Sequence, residues 1–211
     1  MIDVDQAGVR ADGVTLLAPV SVSVAAGEVL VVRGGNGAGK STLLRLLAGS
    51  RHPTSGRLRV GGADVDARDR EFRRRVAAMI GLPPFAPDLT IADHMLLVAS
   101  TWVDGDEASA LARSVLGDLG LGGSGGLGAR YPHELSSGQT QLFGLALVLA
   151  RPFELLIVDE PEQRLDPEHL AAVVRVLRAR RDDGATIVVA THSDVLADAL
   201  GGSTLELAAA A

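Results

Sequence analysis

The amino-acid sequence predicts an α/β fold with a mainly parallel sheet, an N-terminal antiparallel β region and an inserted helical sub-domain. Three observations predict it. Short, almost wholly apolar runs at 29–32, 76–80, 155–158 and 186–190 have the length and character of strands buried on both faces. Helical patterns stand between them, the alternation of a sheet whose crossovers are helices. The residues able to do chemistry sit just after these runs, where open α/β sheets carry their sites.

In chain order, alternation over 20–24 reads as a strand, Ala26-Gly27 as a turn, and 28–33 as the strand feeding Gly34-Gly35-Asn36-Gly37-Ala38-Gly39-Lys40-Ser41-Thr42. That stretch fits G-x-x-x-x-G-K-[ST], the phosphate-binding P-loop, and is followed by a helical pattern over 42–48. Glycines let the backbone fold around a polyphosphate and aim its N–H groups inward at the positive end of a helix. Lys40 then reaches the β- and γ-phosphates, and the Ser41 hydroxyl ligates Mg²⁺. Lys40 is the only lysine in the chain, against nineteen arginines, which suits a place where a compact ammonium must fit beside phosphates. The spacing Gly35-x-Gly37-x-Gly39 is too tight for the dinucleotide fingerprint G-x-G-x-x-G.

Beyond the loop helix, 52–56 reads as a loop, 57–60 as a short strand and Gly61-Gly62 as a turn. The five arginines within 68–75, interleaved with Asp69 and Glu71, read as one solvated helix face. The proline-rich stretch 81–87 is an extended loop. Helices follow at about 91–102 and 107–119, on which Met95 and Trp102 read as packing residues, and the glycine tract 120–128 reads as a flexible link. A further helix is predicted over 139–149, and another over 167–181 with Asp166 as its N-cap. Together these predict one domain over 1–211, with 1–86 and 150–211 as catalytic core and 87–149 as the helical sub-domain.

Composition bounds the rest. With 47% hydrophobic and 22% charged residues the chain is globular, and 211 residues suffice for a substantial core. A formal charge of −6 gives no electrostatic reason to expect nucleic acid as a partner. Without cysteine there is no disulfide framework and no thiolate zinc site. The acidic N-terminus lacks a signal peptide's layout. The most apolar stretch, 142–158, is broken by Arg151, Pro152 and Glu154, so the chain is expected to be soluble by itself.

Asp159, at the end of the apolar run 155–158, is placed to hold Mg²⁺ opposite Ser41, and Glu160 beside it to polarise an attacking water. His192, after the run 186–190, is placed to sense the γ-phosphate. Lys40, Glu160 and His192 are thus the catalytic candidates, and Ser41 and Asp159 the metal candidates. A Ras-type guanine motif N-K-x-D is excluded, because the only asparagine and the only lysine both lie in the P-loop. A small-molecule kinase leaves Leu135-Ser136-Ser137-Gly138-Gln139 without a role.

That segment resembles the LSGGQ signature of the ABC ATPases, and the resemblance spans essentially the whole chain. Residues 34–42 look like the family's Walker A, 155–161 like Walker B with Glu160 as catalytic carboxylate, Leu165-Asp166 like the D-loop and His192 like the switch histidine. The resemblance implies ATP and Mg²⁺ as cofactors and a second ATPase subunit, identical or not, packed head to tail. Ser136, Gly138 and Gln139, with Asp166, then serve the ATP held by that partner. It also implies a separate transmembrane permease and a cytoplasmic position, peripheral on the inner face of the cell membrane. The rival readings are a non-transport ABC ATPase and a weakly active nucleotide-binding regulator. The sequence departs from the family pattern in several places: Ser137 replaces a signature glycine, Leu142 and Leu147 stand where the signature helix commonly carries arginines, and two departures fall at the nucleotide site. Val9-Arg10-Ala11 offers no ring where an aromatic stacks on adenine, and no glutamine follows 76–80, near Gly81 or Leu82.

Overall fold

Five parallel strands form the sheet on which the chemistry-bearing residues stand. We describe it from a computed structural model that covers residues 1–122 and 127–208. The four central residues of the glycine tract lie outside the described residues; Leu127–Ala129, next to them, forms a single 3-10 turn.

The chain starts with β1 (Ile2–Ala11) and β2 (Val14–Val24), an antiparallel hairpin closed by Asp12 and Gly13. Both turn residues have positive φ, 48° and 80°, the geometry that matches the right-handed twist of hairpin strands and that Asp-Gly favours. After β3 (Val29–Gly34) and α1 (Lys40–Leu47) come β4 (Ser55–Val60) and β5 (Ala63–Asp64). They complete a four-stranded sheet in the order β2-β1-β4-β5. Its pairs are all antiparallel.

The second sheet uses β3, β6 (Val76–Met79), β7 (Leu155–Asp159), β8 (Thr186–Ala190) and β9 (Ser203–Leu207), in the order β6-β7-β8-β3-β9. All four pairings are parallel. Val29 to Val32, Leu155 to Val158 and Thr186 to Ala190 are buried without exception, as strands covered on both faces require. Leu43, Leu44, Leu46 and Leu47 of α1 are sealed in the core with Leu30, Ile157 and Val188. The short helix α2 (Arg70–Arg75) carries the arginine cluster; its buried residue is Phe72, and Asp69 caps it by accepting from Phe72 N–H at 2.8 Å.

Helices α3 (Ile91–Ser100), α4 (Gly105–Asp118) and α5 (Ser137–Leu149) follow β6, α6 (Pro167–Asp182) follows β7, and α7 (Asp194–Leu200) follows β8. Met95 is fully buried, and the Arg151 guanidinium lies 4.4 Å from the Trp102 ring centroid. The chain divides into two compact units. One holds Met1–Ile80, Phe153–Glu160 and Arg180–Ala211; the other holds Gly81–Pro152 and Pro161–Ala179. The helical unit therefore starts before residue 87, runs past 149 and takes in most of α6. Among the described residues, no helix is long and apolar enough to cross a membrane.

Three expectations change. The strand read at 20–24 starts at Val14, because turn chemistry and not apolar alternation marks its beginning. The helix read from Gln139 starts at Ser137, since Ser136 caps it. Strand β1, helix α7 and strand β9 were not anticipated: β1 is interrupted by register shifts, α7 has seven residues and β9 is largely exposed, so none carries a clear periodic signal.

Candidate functional site

Parallel register brings the C-terminal ends of three strands together. Val32 of β3 and Asp159 of β7 both pair with Ala190 of β8. The residues that follow each end, Gly34, Glu160 and His192, are therefore neighbours by construction.

The loop 35–39 leaves β3 and enters α1, whose start has Gly39 at φ 96° and no side-chain cap. The first N–H groups of that helix are donors with no side-chain acceptor, an anion site in the making. Gly39 is needed for two reasons. Its φ is left-handed, and a Cβ would fall 2.7 Å from the Leu16 carbonyl oxygen. At Gly35 and Gly37 an added Cβ meets nothing within 4 Å, so there the backbone borders open space. That space is a cavity of about 520 Å³ lined by Val14, Thr15, Leu16, the whole loop from Gly35 to Thr42, and Glu160.

Lys40 is only 7% exposed. Its Nζ donates to the carbonyl oxygens of Gly34 at 2.8 Å and Gly35 at 3.4 Å, and lies 3.0 Å from Nε2 of His192. None of these partners is an anion. A buried ammonium held by neutral groups has given up its hydration without gaining a countercharge, so the site favours an incoming anion. An ammonium only donates, so Nε2 of His192 accepts from it. Glu160 Oε1, 3.4 Å from that same nitrogen, is thus in electrostatic contact with the ring without receiving a proton from Nε2.

Ser41 Oγ donates to Asp159 Oδ2 at 2.6 Å. A hydroxyl and a carboxylate oxygen side by side form an oxygen-only donor pair for a hard cation. Among the described residues there is no cluster of three or more His, Cys, Asp or Glu able to hold a metal. The Ser41–Asp159 pair suits Mg²⁺, which takes one or two protein ligands and completes its shell with water and phosphate oxygens. Glu160 has φ 47°, an uncommon conformation for a non-glycine residue. Its N–H is fixed by the Ala190 carbonyl at 2.8 Å.

The helical unit holds the remaining predicted residues. Ser136 Oγ accepts from Gln139 N–H at 3.2 Å and Ser136 N–H donates to Gln139 Oε1 at 3.0 Å, a reciprocal capping box. Gly138 packs so closely that a Cβ would come 2.9 Å from the Arg164 carbonyl oxygen. Asp166 accepts from His169 N–H at 2.9 Å and pairs with His169 Nδ1 at 2.8 Å. These contacts hold its carboxyl below the usual carboxylate range, the backbone N–H of His169 contributing most. The structure thus groups the loop residues 34–42 with Asp159, Glu160 and His192 in one unit. It groups Ser136, Gly138, Gln139 and Asp166 in the other. Val14, Thr15 and Leu16 were missed from sequence. The signal that finds them is Asp12-Gly13, which turns β1 back into β2 beside the loop.

The family model described as "ABC transporter" matches residues 17–163. A methionine import ATP-binding protein of Cereibacter sphaeroides is 38% identical over 190 residues, covering 85% of this chain and 52% of the relative. The "Probable anion import ATP-binding protein" of Haloferax volcanii is 35% identical over 217 residues, covering 90% of this chain and 74% of the relative. A solved dimeric ATP-binding cassette in a post-hydrolysis state, bound to ADP and Pi, has the same fold. Its TM-score is 0.86 over 98% of this chain and 94% of that one, at 22% identity. The chain spans about half the length of the methionine-import relatives it matches. With its family model, its relatives and its fold in agreement, the chain belongs to the ABC transporter family, among the ATP-binding proteins.

Proposed function

We propose that the chain binds and hydrolyses ATP and thereby powers a membrane ABC transporter, working as a dimer of ATPase subunits on a separate transmembrane permease at the inner face of the cell membrane. In this reading residues 1–211 are one ATPase domain made of a catalytic core and a helical sub-domain. The observation that carries it is Lys40, a buried cation whose partners are two carbonyls and an imidazole. The family match and the relatives' import names support the transport role.

The polyphosphate lies along residues 34–42, with backbone N–H groups and Lys40 as its donors. Ser41 and Asp159 would hold Mg²⁺, which would supply positive charge against that developing on the phosphate. Glu160 accepts a proton from the attacking water as its oxygen bonds to the γ-phosphorus. The bond to the bridging oxygen breaks, and ADP and phosphate leave. Phosphate oxygens compete for the donors of Lys40, and Nε2 of His192, released from Lys40 and carrying the ring proton in the other tautomer, then donates to the γ-phosphate. Ser136, Gly138, Gln139 and Asp166 serve the nucleotide of the partner subunit.

Two measurements test this. The purified chain should hydrolyse MgATP, and Lys40→Ala should lower that activity on the order of a hundredfold. Affinity purification from detergent-solubilised membranes should recover a multi-span protein. Recovery of ribosomes or nucleic-acid enzymes in its place would overturn the transport role.

A further inference from the structure

Between the proposed Walker B carboxylates and the D-loop pair Leu165-Asp166 lies Glu162-Gln163-Arg164, a segment that has no role in the proposed function. Arg164 is its unusual member. Its φ is +65°, a strained left-handed conformation that non-glycine residues seldom adopt. Such strain persists only where the surroundings over-determine it. The surroundings here are specific: the Arg164 carbonyl lies against Gly138, where a Cβ would come 2.9 Å from it, and the Leu165 side chain stands 3.7 Å from the same point. The turn is closed by Leu165 N–H donating to the Glu162 carbonyl at 3.2 Å. The backbone of Arg164 is thereby locked onto the first turn of α5.

Charge makes the placement informative. Arg164 is exposed, and among the described residues it makes no hydrogen bond or ion pair. The nearest carboxylate along the chain that follows, Asp166, is engaged by His169 through both oxygens. The chain thus holds an uncompensated guanidinium, in a strained backbone, beside the same turn that carries Ser136 and Gly138. A guanidinium is permanently charged and matches phosphate oxygens through a planar fork of donors. Cations of this kind stabilise the charge that develops on a transferring phosphoryl group.

We propose that Arg164 is a further catalytic residue, reaching the terminal phosphate of the ATP held by a second copy of this chain. The inference rests on the proposed function, in which Ser136 and Gly138 face a partner's nucleotide. Arg164 acts in trans: it donates to the γ-phosphoryl oxygens as the bond to the bridging oxygen lengthens, and it leaves its own subunit's phosphate loop untouched.

The variant that tests this is Arg164→Gly. Glycine takes φ +65° without strain, so the variant should melt at the same temperature as the parent or higher. Its kcat for MgATP should nevertheless fall at least tenfold, with nucleotide binding by the monomer unchanged. Arg164→Lys keeps the charge without the fork and should recover part of the rate. Mixing Arg164→Gly with Glu160→Gln, each impaired by itself, should raise turnover above that of either variant alone. One composite site of a mixed dimer then has both Glu160 and the opposing Arg164. A kcat for Arg164→Gly within twofold of the parent would overturn the inference, as would isolated mixed dimers no more active than their parents. Failure of the proposed function reads differently: the parent itself would show no Lys40-dependent hydrolysis.

Discussion

Lys40 and Glu160 illustrate how much a single position can demand of its surroundings. The ammonium of Lys40 sits between two carbonyl oxygens and an imidazole nitrogen, in a slot that leaves 7% of the residue exposed. Arginine carries the same charge on a larger planar group and cannot occupy that slot without displacing the loop. Lys40→Arg should therefore resemble Lys40→Ala, each lowering kcat/KM on the order of a hundredfold, as steady-state assays with MgATP would read. Glu160→Gln keeps the shape of the side chain and removes the proton acceptor. Hydrolysis should fall by about 10² to 10⁴ while nucleotide binding persists, and size-exclusion chromatography should find the variant as an ATP-held dimer. An exclusively monomeric Glu160→Gln chain in MgATP would count against ATP-driven dimerisation.

Individual elements depend on their ends. Helix α5 begins with a reciprocal cap in which Ser136 and Gln139 satisfy each other's backbone N–H groups. Ser136→Ala should cost about 1 kcal/mol, measurable as a lower urea midpoint at unchanged slope. Two carboxylates in the first turns or caps of other helices have lowered pKa values. Asp93 at the start of α3 is held below its usual range by the Thr90 hydroxyl and then the Thr90 N–H, and Asp166 by His169. A lowered native pKa stabilises the fold above the usual carboxylate range, and that stability disappears as pH falls through the native value. Asp166→Asn still accepts from His169 N–H but does not titrate, so its melting temperature should decline less steeply with acid than the parent's. The same details explain what was legible in advance. The four buried strands, the P-loop and the ends bearing Asp159, Glu160 and His192 could be read because continuous apolar runs and a fixed glycine spacing are local signals. The Ser136 start was readable too, since S-x-x-Q is a capping pattern, yet the apolar residues after it drew the boundary inward. Strand β9 was not readable. It forms by pairing with β3, a contact more than 160 residues distant in sequence that no local pattern announces.

On the scale of the whole molecule, nucleotide should act as a stabiliser. Ligand at a hundred times its Kd adds about 2.7 kcal/mol to a state that binds it, which for a chain of this size is a rise of roughly 5–11 °C in Tm. Calorimetry should show that rise with MgATP, and little of it with Lys40→Ala. One feature of the site also extends to the whole chain. Lys40 carries the sole ε-amino group in the sequence, and it lies in the loop proposed as the phosphate cradle. An amine-directed acylating reagent therefore has a single side-chain target, and its rate of modification becomes a gauge of occupancy that falls as nucleotide fills the cradle. Surface coupling, cross-linking or enzymatic tagging through a lysine side chain must likewise fall on this position, so every such attachment disables the protein that it marks.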